Sequence, residues 1–171
     1  MVRSHLDYCS SVWSPYIKKD IEALEKVQKR ATKILPQLKH VNYSDRLKAC
    51  KLPSLHYRRI RGDMIETYKI MTGKYDIDIA PSLVGVCASV TRGHSFSLQK
   101  IGQNMIYVSF FSNRIVNIWL LPSYVVSVVT VNCFKTRLDR FWLNQDIIYN
   151  FRSEIYGTGS RSKITAKSSL E

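Results

Sequence analysis

The sequence predicts a mainly α-helical protein, a small bundle of about four helices. Apolar residues recur every three or four positions in several stretches, and prolines, glycines or capping residues bound those stretches. Of the 171 residues 45% are hydrophobic, which is enough to bury one core. We expect a basic helical segment at 1–72, an irregular connector at 73–108, a second helical segment at 109–156 and a disordered tail at 157–171.

The most regular helical pattern begins at Asp20. Its apolar positions step by three or four until Pro36 stops the helix, and they are Ile21, Leu24, Val27, Ala31, Ile34 and Leu35. We expect these side chains to form the buried face. The residues before this helix, up to Ser14-Pro15, indicate the end of an earlier element, because a residue before proline is biased away from helix.

Two further helices follow in the first half of the chain. Ser44 is placed to cap a short helix that runs through Ala49, and Ser54 is placed to cap a long one that reaches about Thr72. Gly73 can end the long helix. Its apolar face is wide, so we expect it to be largely buried; the residues of that face are Tyr57, Ile60, Met64, Ile65, Tyr68, Ile70 and Met71.

The second half of the chain is less regular. Scattered glycines, prolines and aspartates make residues 73–108 a connector with room for short strands. A third helix is predicted from Phe111 through Trp119, ended by Pro122, and a fourth from Val131 to Trp142, capped by Thr130. Between them residues 124–131 are β-branched and uncharged, a pattern typical of a strand or an aggregating segment. The tail after Tyr156 has almost no apolar content.

The charge of the chain points to a polyanionic partner. Lys and Arg number 26 against 13 Asp and Glu, a formal net charge of +13, and residues 1–62 hold 14 of the basic residues with only 5 of the acidic ones. A nucleic-acid-binding face is therefore expected in the first half. Solubility alone is the alternative, because many basic domains touch no nucleic acid.

Two groups of cations form the predicted binding face. At 100° per residue, Lys26, Lys29, Arg30 and Lys33 fall in one stripe opposite the predicted apolar face of their helix, and we call them the basic stripe. Lys18 and Lys19 precede it. The second group, the arginine cluster, is Arg58, Arg59 and Arg61. Both groups would contact backbone phosphates, which gives affinity without sequence preference.

Ordinary surface ion pairs are the alternative explanation of these cations. Glu22 precedes Lys26 by four residues and Glu25 precedes Lys29 by four, a spacing that pairs side chains on a helix. Asp63 follows Arg59 at the same spacing. On this view only part of the basic stripe is free, and one or two arginines of the cluster have structural roles.

No catalytic constellation is found in the sequence. Two-metal phosphoryl transfer needs clustered carboxylates, and Asp76 with Asp78, in a polar turn, is the nearest approach to an adjacent pair. The histidines stand apart, at positions 5, 40, 56 and 94, and the glycines form no phosphate-binding loop. Cysteines at 9, 50, 87 and 133 lack zinc-ligand spacing, so we expect free, largely buried thiols. The sequence predicts no metal, no cofactor and no enzyme activity.

Targeting and membrane signals are also missing from the sequence. Arg3, His5 and Asp7 interrupt the N-terminus too early for a signal peptide. The strongest apolar stretch, 115–131, is shorter than the roughly 20 residues of a spanning helix and contains polar residues and a proline. We expect an intracellular protein, nuclear or cytoplasmic, without a membrane partner.

Several phrases resemble the C-terminal part of reverse transcriptases from LINE-type non-LTR retrotransposons of the jockey and chicken-repeat kind. They stand in the family's order and cover about residues 2–142. They are VRSHLDYCSSVWSPY at 2–16, DIEALEKVQKRATK at 20–33, LPSL at 52–55, YRR at 57–59, RGDMI at 61–65, TRGHS at 91–95, FFSNRIVNIW at 110–119 and NCFKTRLDRFW at 132–142. The short link from Trp119 to Pro122 departs from the family pattern and hints at a decayed or truncated copy.

The resemblance implies a thumb region and the segment beyond it, the part of the polymerase that holds template and primer. The family's catalytic Asp pair lies upstream of these motifs, so the resemblance implies that the chain opens within a longer reading frame. The parent protein would be an RNA-directed DNA polymerase whose palm and fingers are missing here. Residues 1–72 are then the thumb-like segment.

Three functions remain open from the sequence. The chain is a non-specific nucleic-acid-binding remnant of a reverse transcriptase, a non-functional transposon relic with uncovered apolar faces, or a recruited protein-interaction module. In the last case Trp13, Trp119 and Trp142 would be exposed anchors, although tryptophans are more often part of a core.

Overall fold

A computed structural model describes residues 2–15, 17–76, 83, 98 and 111–156. Within these residues the chain is mainly helical and forms a small bundle, as the sequence predicts. The α-helices are α1 (Val2–Asp7), α2 (Ser10–Trp13), α3 (Lys18–Lys33), α4 (Tyr43–Ala49), α5 (Leu55–Met71), α6 (Phe111–Val116), α7 (Ser123–Val126) and α8 (Val131–Phe141). Single 3-10 turns at Pro36–Leu38 and Asp146–Ile148 follow α3 and α8.

The central helix is α5, and its predicted burial is confirmed. Ser54 caps it, since the Ser54 hydroxyl accepts the Tyr57 N–H at 3.2 Å, and Gly73 follows its end with a positive φ of 65°. Met64 and Tyr68 are fully buried and Tyr57 nearly so. Residues at 1–72 and 111–156 therefore share one hydrophobic core built around this helix.

The C-terminal helices close the core from the other side. Phe134 and Leu138 of α8 are buried, and the Phe134 ring stacks on Tyr68 with centroids 4.3 Å apart. Trp119 and Trp142 pack beside them. The Thr130 hydroxyl accepts the Cys133 N–H at 3.2 Å, which confirms the predicted cap of α8.

Three local predictions are wrong. Ser44 lies inside α4, which begins at Tyr43 after Asn42. Helix α6 ends at Val116, so Ile118 and Trp119 lie in the turn beyond it. Residues 123–126 form α7, in which Val125 and Val126 are buried, because burial of the two valines against the shared core outweighs the β propensity of the segment.

The exposure of α3 is the largest departure from the sequence prediction. The helix spans nearly the predicted residues, but its buried side chains are Glu25, Gln28 and Thr32. Four of the six predicted core residues are exposed instead, among them Ile34 at 80%; these are Val27, Ala31, Ile34 and Leu35. The helix presents a polar face to the bundle because the polar groups find partners there.

Hydrogen bonds account for that polar face. The Glu25 carboxylate accepts the Leu55 N–H at 3.1 and 3.3 Å and the Tyr43 hydroxyl at 2.6 Å. Gln28 Nε2 donates to Pro53 O at 3.2 Å. The Thr32 hydroxyl accepts Arg46 Nε at 3.3 Å. A buried polar group with such partners costs little, and of these three side chains only Gln28 has a buried atom, Oε1, without a hydrogen-bond partner in the described residues, so the face can lie inward.

Some predictions fall outside the described residues, namely most of the connector with its short strands, and the tail. Cys9 and Cys133 are exposed and Cys50 is half-buried, all as free thiols. For these three the prediction of free thiols is confirmed and that of buried ones is wrong, because none lies in the core; Cys87 is outside the described residues. No helix in the described part has the length and apolar character to cross a membrane.

Candidate nucleic-acid interface

The basic stripe lies on the surface of α3. Lys26, Lys29, Arg30 and Lys33 are all exposed, as are Lys18 and Lys19 in its first turn. Among the described residues none of these six cations forms an ion pair. The helix therefore carries a row of solvated positive charges that a polyanion can reach.

Glu22 and Glu25, the two glutamates that could pair with lysines of the basic stripe, bind other residues instead. Glu22 accepts a hydrogen bond from Arg152 Nη2 at 2.8 Å, and this contact holds the pKa of Glu22 below its ordinary value. Glu25 is 1% exposed and bonded to Leu55 and Tyr43. The ion pairs of Glu22 with Lys26 and of Glu25 with Lys29 that the helical spacing suggests do not form in the described structure, because the two carboxylates bind the partners just named.

All three arginines of the cluster contact other side chains of the protein, but only Arg59 is buried, and the Arg58 side chain is 49% exposed. Arg58 Nε lies 2.7 Å from Asp7 Oδ2, and Arg61 forms a two-pronged pair with Asp139 at 2.5 and 2.7 Å. Arg59 is 2% exposed, and its guanidinium lies over the Trp13 ring, 5.0 Å from the centroid. Burial lowers the pKa of Arg59. The three arginines bring α5 into contact with α1, α2 and α8, and Arg58 and Arg61 do so through ion pairs.

Asp63 pairs with Arg114, which corrects the pairing with Arg59 that the helical spacing suggests. Arg114 Nε and Nη2 donate to the Asp63 carboxylate at 2.8 and 3.1 Å, and both side chains are nearly buried. Arg114 Nη2 also donates to Ser11 O at 2.9 Å, so the pair ties α6 to α5 and α2. Desolvation raises the pKa of Asp63, while the guanidinium opposes that rise.

A cleft opens beside the basic stripe that sequence patterns did not reveal. It has a volume of about 230 Å³ and is lined by Lys26 and Lys29 of α3, by Tyr43 at the start of α4, and by residues 149–152. Arg152 is 72% exposed at its rim. In the sequence, the cleft is indicated only by the aromatic and basic residues at 149–152. Because these residues are far from α3 along the chain, the sequence does not predict that the two segments lie side by side.

The remaining candidate residues have structural or surface positions. His5 and His40 are exposed, and the His56 ring Nδ1 lies 2.8 Å from Phe151 O. Trp119 and Trp142 belong to the core, so they are not the exposed anchors of an interaction module; Trp13 is 40% exposed. In the described ranges no group of three or more His, Cys, Asp or Glu side chains is placed to hold a metal ion.

Comparisons with known proteins add nothing to this geometry. No protein-family model, no curated protein and no solved structure matches the chain.

Proposed function

We propose that this chain binds nucleic acid non-specifically through the basic stripe of α3, as the thumb-like remnant of a reverse transcriptase that lacks the palm. The observation that carries the proposal is the row of exposed cations on one helix, none of which has an ion-pair partner in the described residues. Cations spaced along one helix face can meet successive backbone phosphates. Lys18 and Lys19 extend the contact.

The proposal leaves the arginine cluster out of this binding face, because its guanidinium groups already contact Asp7, Trp13 and Asp139, although Arg58 stays about half exposed. The partners in this proposal are a template-primer duplex, held by its backbone, and the palm and fingers of a parent polymerase. The chain itself has no polymerase activity under the proposal and acts in the nucleus or cytoplasm. Its derivation from a LINE-type element rests on the sequence resemblance alone.

The test replaces Lys26, Lys29, Arg30 and Lys33 together with Gln, which removes four charges and keeps a similar helix propensity. We expect the slope of log affinity against log salt, measured with a hybrid duplex, to flatten by about 3.6, which is roughly 0.9 for each phosphate contact. The matched control replaces four exposed cations outside α3, Lys39, Lys48, Lys74 and Arg140, with Gln and should keep the slope. An equal slope in both variants would refute the proposal.

The exposed apolar side of α3 favours a second candidate, a protein-binding surface. Val27, Ala31 and Ile34 lie on the side of the helix opposite its buried residues and are exposed. Such a row suits contact with another protein, whether the missing palm or a recruited partner. The two candidates use different sides of α3, so loss of nucleic-acid binding in the Gln variant supports only the first.

A further inference from the structure

The cleft beside the basic stripe shares two residues with it. Lys26 and Lys29 belong to the stripe and also line the cleft, and residues 149–152 bring the Arg152 guanidinium to the same opening. A strand whose phosphates contact the stripe therefore passes the mouth of the cleft. The kind of ligand that the cleft can bind then depends on the residues that line it.

Three of the ten residues that line the cleft are aromatic. Tyr43 and Phe151 meet edge to face, with ring centroids 6.4 Å apart and an interplanar angle of 69°, and Tyr149 lines the cleft beside them. The Arg152 guanidinium lies over the Phe151 ring, 5.5 Å from its centroid. Aromatic rings and guanidinium planes are the surfaces on which unpaired bases stack.

The cations that line the cleft outnumber its carboxylates by three to two; they are Lys26, Lys29 and Arg152 against Glu22 and Glu25. Glu25 accepts hydrogen bonds from Leu55 N–H and the Tyr43 hydroxyl, and Glu22 accepts one from Arg152. The ammonium groups of Lys26 and Lys29 have no carboxylate partner in the described part of the chain. Charge and ring surface together match a nucleoside phosphate.

The size of the cleft narrows the ligand further. Its volume of about 230 Å³ is below the roughly 300–1,000 Å³ of sites for drug-sized ligands, so we expect a small ligand such as one base rather than a base pair. We propose that the cleft binds one unpaired nucleotide of a strand whose neighbouring phosphates lie on α3. This inference rests on the proposed function and adds a preference for an unpaired end.

The test measures how three labelled hairpin duplexes, each closed by a non-nucleotide linker so that no loop base is unpaired, bind to the full chain at low salt. One is blunt, one carries a short adenine tail, and one carries an abasic tail with the same number of phosphates. We expect the adenine tail to bind about fivefold or more tightly than the abasic tail, the lower end for one stacked base. Because both tails add equal charge, the difference reports base contact alone.

Two variants locate that difference in the cleft. Phe151→Leu removes the ring and keeps apolar volume, while Arg152→Gln changes an exposed side chain and should fold normally. Both variants should reduce the difference in affinity between the adenine tail and the abasic tail. Phe151→Leu should also leave the affinity for the blunt duplex within about twofold of wild type. The control Tyr156→Leu, an exposed aromatic outside the cleft, should keep the full advantage.

The outcomes separate this inference from the proposed function. Equal affinity for the adenine and abasic tails, with salt-dependent binding of the blunt duplex, overturns the nucleotide cleft and leaves the stripe intact. No binding of any hairpin overturns both. Adenosine monophosphate should compete poorly, since it lacks the phosphates that reach the stripe; competition as potent as that of the tailed hairpin indicates a free-nucleotide site and overturns the strand-bound form.

Discussion

Glu22 and Glu25 lie one turn apart on α3 in opposite environments. Glu22 is exposed enough for water to screen its contact with Arg152, which is itself 72% exposed. Glu25 is buried at the start of α5, where its carboxylate accepts the Leu55 N–H, one of the backbone donors that a helix leaves unpaired at its N-terminus. A carboxylate of α3 thus supplies a hydrogen-bond acceptor for the N-terminus of α5.

Glu25→Ala should lower the free energy of unfolding by about 2–4 kcal/mol, because the buried Leu55 N–H loses its acceptor at ~1–3 kcal/mol and the half-buried Tyr43 hydroxyl loses a hydrogen bond of about 1 kcal/mol. Urea unfolding followed by circular dichroism measures the loss. Glu22→Ala is the matched control and should leave stability unchanged within error. Similar losses in the two variants would contradict the burial of Glu25.

Arg59 shows at the residue scale why a sequence pattern cannot assign a role to a cation. In the sequence it stands among three arginines and suggests a phosphate ligand. In the fold it is buried against Trp13, and its guanidinium nitrogens have no hydrogen-bond partner in the described residues. Stacking on the indole offsets part of the desolvation of the charge. The contact joins residues 46 positions apart, which no local spacing indicates.

At the scale of elements, the sequence predicts most features that depend on residues close together in the chain, although the start of α4 and the end of α6 differ from the prediction. The bounds of α3 and α5, the Ser54 and Thr130 caps and the end of α5 at Gly73 follow from periodicity and capping chemistry. Which face of α3 lies inward does not, because it depends on Leu55 and Tyr43, brought there by tertiary structure. Periodicity places apolar residues on one face, but only packing decides whether that face is covered.

The exposed apolar side of α3 therefore contributes little to folding. Replacing Val27 and Ile34 together with Gln should change the free energy of unfolding by less than about 1 kcal/mol, since surface substitutions usually stay within about 0.5 kcal/mol each. Leu47→Ala is the contrasting variant and should cost about 2–5 kcal/mol, because Leu47 is fully buried in α4. Chemical denaturation of both variants makes the comparison. If the double variant lost as much free energy of unfolding as Leu47→Ala does, the apolar face of α3 would be buried, as the sequence predicts.

At the scale of the whole molecule, α5 joins two parts that the sequence separates by a long connector. Apolar packing joins Tyr68 to Phe134, and ion pairs join Arg61 to Asp139 and Asp63 to Arg114. The members of these pairs are 51 to 78 residues apart along the chain. Because buried side chains from both parts form one core, neither part has a complete apolar interior without the other.

Phe134→Ala should consequently destabilise both parts together. Phe134 is fully buried and stacks on Tyr68, so truncation should lower the free energy of unfolding by about 3–5 kcal/mol. In a single cooperative unit, the amides of α5 and α8 should lose hydrogen-exchange protection by the same free energy. Tyr124→Ala, at an exposed aromatic, serves as the control and should leave protection of both helices unchanged. Lost protection confined to α8, with α5 unaffected, would instead show that residues 1–72 and 109–156 fold as separate units, and the shared core would then not govern the stability of the chain.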